Sequence, residues 1–144
     1  MEMTMPTRLN PYLNFEGNAR EAMTFYRDVF GGELTLNTFG DYQATDDPAQ
    51  TDNIMHGELV TPNGLTLMGA DVMEGMDYKP GTNFSISLSG DNEPELQGYW
   101  DKLVDGGTIT EPLVPAPWGD KFGMLVDRFG ISWLVNISGA GAEG

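Results

Sequence analysis

Cysteine is absent from the 144 residues, which excludes a disulfide framework, a thiolate metal site and a cysteine nucleophile. Basic residues are scarce: seven Lys and Arg stand against 22 Asp and Glu, a net charge of −15. Nucleic-acid binding needs a stripe of cations to displace phosphate counterions, and seven scattered ones do not supply it. The same shortage argues against docking to an anionic membrane surface. No run of about 18 apolar residues occurs, so no membrane-spanning helix is expected. Residues 1–8 lack the charged-then-apolar pattern of a secretory signal, and the expected compartment is the cytoplasm. Histidine occurs once, at position 56. No glycine-rich loop opens a helix to cradle a phosphate, so no nucleotide is expected.

What is present fits one globular domain over residues 1–144, with 40% hydrophobic and 10% aromatic residues and enough length for a core. Residues 9–15 alternate and predict a strand with Leu9, Leu13 and Phe15 on its packed face. Asn18 and Glu21 have the spacing of a capping box. Ala22, Met23, Tyr26, Val29 and Phe30 then form a helical apolar stripe, which Gly31 and Gly32 end. Residues 33–39 predict a strand and residues 40–53, rich in Asp, Thr and Pro, a long loop. Residues 54–61 and 65–70 read as strands joined through Asn63 and Gly64, a hairpin signal.

The second half repeats this order. Residues 83–88 alternate, with Phe84, Ile86 and Leu88 on one face. A helix opens near residues 91–94 and buries Leu96, Trp100 and Leu103. Gly106 and Gly107 end it. Residues 108–110 predict a short strand and 112–119 a loop. Residues 122–126 and 131–137 predict a closing hairpin, and 138–144 a frayed small-residue tail. Phe25-Tyr26 meets Tyr99-Trp100 at an offset of 74 and the glycine pairs meet at 75. The fold class expected is therefore α+β: two tandem βαβββ modules, about 8–72 and 82–137, forming curved antiparallel or mixed sheets around a cleft with helices outside.

Strand alternation assigns the uncovered face. Asn10, Tyr12 and Asn14 oppose the packed residues of the first strand. Ile54, His56, Glu58 and Val60 oppose Met55 and Leu59. Thr66, Met68 and Ala70 oppose Leu65 and Leu67, and Ser85 and Ser87 belong to the same face of the second half. Amide, hydroxyl, imidazole, carboxylate and thioether groups together suit a small-molecule cleft better than a core. Trp118, a large aromatic in a Pro- and Gly-rich loop, is a candidate to cover or stack on a ligand. Trp133 reads as core. Asp71, Asp120 and Asp127 read as turn residues.

The segments Pro11-Tyr12-Leu13-Asn14-Phe15, Gly17-Asn18-Ala19, Phe25-Tyr26, Phe30-Gly31-Gly32 and His56-Gly57-Glu58-Leu59 resemble the PhnB-like branch of the vicinal oxygen chelate superfamily. Trp118-Gly119-Asp120, Phe122-Gly123 and Asp127-Arg128-Phe129-Gly130 extend the likeness over residues 8–137. The superfamily includes glyoxalase I, extradiol dioxygenases and bleomycin-sequestering proteins. The resemblance implies paired βαβββ modules, a homodimer, and in the enzymes a divalent metal held by His, Glu or Gln. Carried over strand by strand, those ligand positions fall on Asn10, Met68, Ser85 and Leu134. Leucine does not bind metal, methionine is a poor ligand for hard ions, and amide and hydroxyl are weak ones. No cofactor is therefore expected, a divalent metal being disfavoured.

The resulting expectation is a small-molecule binder of the glyoxalase/bleomycin resistance type. Asn10, Tyr12, His56, Glu58, Met68, Ser85 and Trp118 are its candidate ligand-binding residues. The ligand would be partly aromatic or polar, and the acidity of the chain favours a cationic one. The alternative is a metal-dependent lyase, isomerase or dioxygenase in which His56 and Glu58 are catalytic, since imidazole beside carboxylate can shuttle a proton.

Overall fold

The computed structural model describes residues 6–73 and 75–139. Residues 1–5 of the N-terminal segment and 140–144 of the tail lie outside the described residues. The chain divides into two compact units, Met1–Tyr78 and Lys79–Gly144. The first contains β1 (Tyr12–Phe15), α1 (Ala19–Phe30), β2 (Glu33–Thr38), β3 (Ile54–Val60) and β4 (Thr66–Asp71). The second contains β5 (Ile86–Gly90), α2 (Glu93–Val104), β6 (Thr108–Pro115), β7 (Lys121–Val126) and β8 (Ser132–Ile137). Each unit carries one four-stranded mixed sheet, in the orders β1-β4-β3-β2 and β5-β8-β7-β6. In both, the first strand pairs in parallel with the last and the other pairs are antiparallel. The α+β architecture of two βαβββ modules is the one the duplicated sequence predicts. Among the described residues no helix is long and apolar enough to cross a membrane.

Each helix covers one face of its sheet. α1 buries Ala19, Ala22, Met23, Tyr26, Val29 and Phe30, against Leu13, Phe15, Leu59 and Leu67 of the core. α2 buries Leu96, Trp100 and Leu103, with Leu125, Trp133, Val135 and Ile137 in the core of that unit. Glycine on the sheet makes this approach possible. A Cβ on Gly123 would sit 2.7 Å from Cη2 of Trp100, and one on Gly69 would sit 3.0 Å from Sδ of Met23. The helix exits also match. A Cβ on Gly32 would collide with the Val60 carbonyl oxygen, and one on Gly107 with that of Val126.

The helix starts differ from each other. Asn92 caps α2 by accepting from the Glu95 N–H at 3.2 Å. Asn18 makes no side-chain cap, so the Asn18–Glu21 box is not formed. The Asp71 carboxylate, at the end of β4, takes that role from afar. Its Oδ1 accepts from Gly17 N–H at 2.8 Å and Ala19 N–H at 3.0 Å, and its Oδ2 accepts from Ile54 N–H at 2.8 Å. A carboxylate at a helix N-terminus satisfies donors the helix cannot and opposes the positive end of its dipole. Asp71 is thus a long-range tie rather than a turn residue.

Asp127 is the local counterpart. Its Oδ1 accepts from the N–H groups of Phe129 and Ile131 at 2.8 and 3.1 Å, and its Oδ2 from the Trp133 indole at 2.9 Å. Trp133→Phe keeps most of the buried ring and removes that indole donor. Urea denaturation of the variant should show a loss of about 1.5–3 kcal/mol, the worth of a hydrogen bond to a charged group. An unchanged midpoint would show that the bond contributes nothing.

Several strand limits depart from the sequence pattern. Leu9 is fully exposed and β1 begins at Tyr12, because Pro11 has no N–H to donate to the ladder. Phe84 is exposed; β5 begins at Ile86, opposite Trp133, near where its partner strand β8 starts. Leu65 belongs to the hairpin turn and is exposed. β6 runs on to Pro115 through Pro112, which an edge strand tolerates because its outer N–H groups need no partner.

Candidate functional site

The faces of the two sheets that the helices leave uncovered carry the polar groups. In the first unit, register places side chains in rows across all four strands. Tyr12 lies opposite Met68, Met68 opposite Glu58, and Glu58 opposite Thr35. In the adjoining row Asn14 lies opposite Ala70, and Asn37 opposite His56. The Tyr12 and His56 rings approach to 6.0 Å between centroids at an angle of 37°. Four predicted residues, Tyr12, His56, Glu58 and Met68, are thus brought together on one surface. Tyr12 is 44% exposed, while His56, Glu58 and Met68 are half-buried.

The remaining candidates lie elsewhere in their own elements. Asn10 stands two positions before β1 and Ser85 one before β5. Ser87, not Ser85, is the residue in register with Leu134, as Tyr12 is the one in register with Met68. Trp118 sits in the β6–β7 turn, 60% exposed, its ring edge-on to Phe122 at 5.7 Å. Ile54, expected on the uncovered face, is fully buried. The register slips between Asn37 and Thr38, so that Ile54 rather than Met55 meets Thr38. The extra residue reverses the alternation and sends Ile54 to the packed side with Gly57 and Leu59. Thr35 and Asn37 were not among the candidates. The alternation of Leu34 and Leu36 with polar neighbours on β2 is the signal that places them.

The second sheet has the equivalent row, Ser87, Leu134, Met124 and Glu111, followed by Ser89, Asn136, Phe122 and Val114. Asn136 donates to Asp120 at 2.9 Å, and Asp120 also accepts from Gly139 N–H at 3.2 Å. Asp120 therefore ties the end of β8 to the β6–β7 turn and is not a purely local turn residue.

The uncovered face of the first sheet suits a divalent metal poorly: it offers one imidazole and one carboxylate, of His56 and Glu58, beside the phenol of Tyr12 and the thioether of Met68, too few good ligands for a hard ion. On the second sheet Ser87 and Leu134 offer a hydroxyl and an alkyl group. Among the described residues no three His, Asp or Glu side chains converge as metal ligands. The helix N-termini do not offer an anion site either. The Asp71 carboxylate occupies that of α1, and Asn92, Glu93 and Glu95 surround that of α2. At the end of the first unit, burial and the nearby Glu16 push the Tyr78 phenol above its ordinary pKa.

Comparison with known proteins agrees with this architecture. The family model described as 3-demethylubiquinone-9 3-methyltransferase matches residues 7–136. Protein PA1353 from Pseudomonas aeruginosa is 38% identical, with a TM-score of 0.81 over 93% of this chain and 99% of that one. The PhnB protein of Bacillus cereus is 27% identical, with a TM-score of 0.68 over 92% of this chain and 100% of that one. A glyoxylase/bleomycin resistance protein/dioxygenase domain from Frankia sp. EAN1pec shares the fold, with 14% identity and a TM-score of 0.65 over 96% of both chains. The chain belongs to the family described as 3-demethylubiquinone-9 3-methyltransferase.

Proposed function

We propose that this protein is a homodimeric, cytoplasmic small-molecule binder of the glyoxalase/bleomycin resistance type that works without the superfamily's divalent metal. The observation that carries the reading is the row Tyr12, Met68, Glu58 and Thr35, with His56 against Tyr12, on the sheet face opposite α1. Ligand sites combine apolar and aromatic surface with a few placed polar groups, and this face has both. The ring and thioether supply contact area; the carboxylate, hydroxyl and imidazole supply orientation. The methyl transfer in the family's description would need a methyl-donor cofactor. Binding alone accounts for the groups present on this face.

Calorimetry and thermal-shift screening, with elemental analysis of protein purified without chelators, test the proposal. The expected result is a stabilising ligand at sub-stoichiometric metal content. At a ligand concentration of 100 times Kd the gain is about 2.7 kcal/mol. Stoichiometric metal that is lost in His56→Ala, together with metal-dependent turnover, would overturn the proposal in favour of an enzyme.

A further inference from the structure

The uncovered face of the first sheet has a charge pattern that narrows its ligand. Glu58 sits on β3, an inner strand, half-buried. Among the described residues its carboxylate has no hydrogen-bond or ion-pair partner. Its sheet neighbours, Met68 and Thr35, carry no charge. No Lys or Arg occurs anywhere on β1, β2, β3 or β4, and His56, two residues before Glu58 on β3, is the one titratable cation of these strands. The first 78 residues contain three arginines, no lysine and thirteen Asp or Glu, and the surrounding field is therefore strongly attractive to cations. A carboxylate with no fixed counter-ion in such a field is open to a charge-assisted hydrogen bond from a cationic ligand.

Resting on the reading of this face as the ligand surface, we propose that the site takes a small organic cation with a flat apolar body, its charge on Glu58 and its body on Tyr12 and Met68. The Tyr12 ring favours a cation electrostatically through its quadrupole, and the Met68 thioether adapts to a flat apolar surface. A bare divalent ion is the poorer occupant, since one carboxylate beside a thioether leaves it short of oxygen ligands.

Three probes of similar shape test the charge preference on the full chain: benzylammonium, benzyl alcohol and benzoate, titrated by amide NMR and calorimetry. The expected result is that benzylammonium binds about tenfold or more tightly than either other probe, the worth of one charge-assisted hydrogen bond. Its shifts should centre on Tyr12, Thr35, Glu58 and Met68, and its affinity should fall with added salt. Glu58→Gln should cost the cation about tenfold and leave benzyl alcohol unchanged. Tyr12→Leu, as a second variant, should cost the cation about threefold. Equal binding of cation and alcohol on this face, or a preference that survives Glu58→Gln, would overturn the cation assignment and leave the ligand face standing. Shifts centred elsewhere, or no shift here from any of the three probes, would overturn both.

Discussion

Asp71→Ala should lower the stability of the protein by about 3–5 kcal/mol, chiefly the cost of the buried N–H donors it leaves unpaired, and the melting temperature by about 10 °C or more. The carboxylate is 5% exposed and accepts three backbone N–H groups, from Gly17, Ala19 and Ile54. Alanine would leave all three without that partner; those of Ala19 and Ile54 are buried, and each unsatisfied buried donor costs about 1–3 kcal/mol. It would also remove the negative group at the start of α1, worth a further fraction of a kcal/mol. Asp71→Asn separates these effects. The amide oxygen can still accept from Gly17 and Ala19, while the amide nitrogen would face the Ile54 N–H, donor against donor. Its loss should fall between wild type and alanine. Urea denaturation with far-UV circular dichroism measures both; an alanine variant within about 1 kcal/mol of wild type would refute the role assigned to Asp71.

Gly32→Ala should be nearly as damaging. Gly32 has φ +107, and its Cβ would penetrate the Val60 carbonyl oxygen and crowd the Thr61 Cα at 2.7 Å. Both obstacles are backbone, so no side chain can swing aside. The conformation itself costs an L-residue about 1–2 kcal/mol, and forced repacking adds about 1–3. Gly64→Ala is the control: Gly64 has φ +88 and nothing within 4 Å of a Cβ. It should lose only the conformational part. Denaturation midpoints that moved equally for the two variants would show that the close approach at Gly32 is unimportant.

Much of the fold was legible because its signals are local. The stripes Ala22–Phe30 and Leu96–Leu103, the paired glycines and Asn63-Gly64 each report on a few neighbouring residues, and each falls where the structure has a helix, a helix exit or a hairpin. The face bearing Tyr12, His56, Glu58 and Met68 followed from alternation alone. What escaped was set by distant partners. Nothing near Asp71 in sequence announces that it will cap α1, because its acceptors' donors lie 52 and 54 residues away. The bulge that turns Ile54 inward becomes visible only in the pairing with β2. Leu9 and Phe84 have the hydrophobicity of core residues but no strand beside them to define a core face. Pro112 and Pro115 argued for a loop until β6 proved to be an edge.

The reach of Asp71 also bears on how the protein emerges during synthesis. A chain made from its N-terminus presents α1, β2 and β3 before residue 71 exists, so the first donors of α1 and the Ile54 amide remain hydrated through that interval. Parallel pairing of β1 with β4 waits for the same segment, and non-local contacts of this kind close late. A nascent chain stopped short of β4 would therefore lack both the edge pairing and the helix cap.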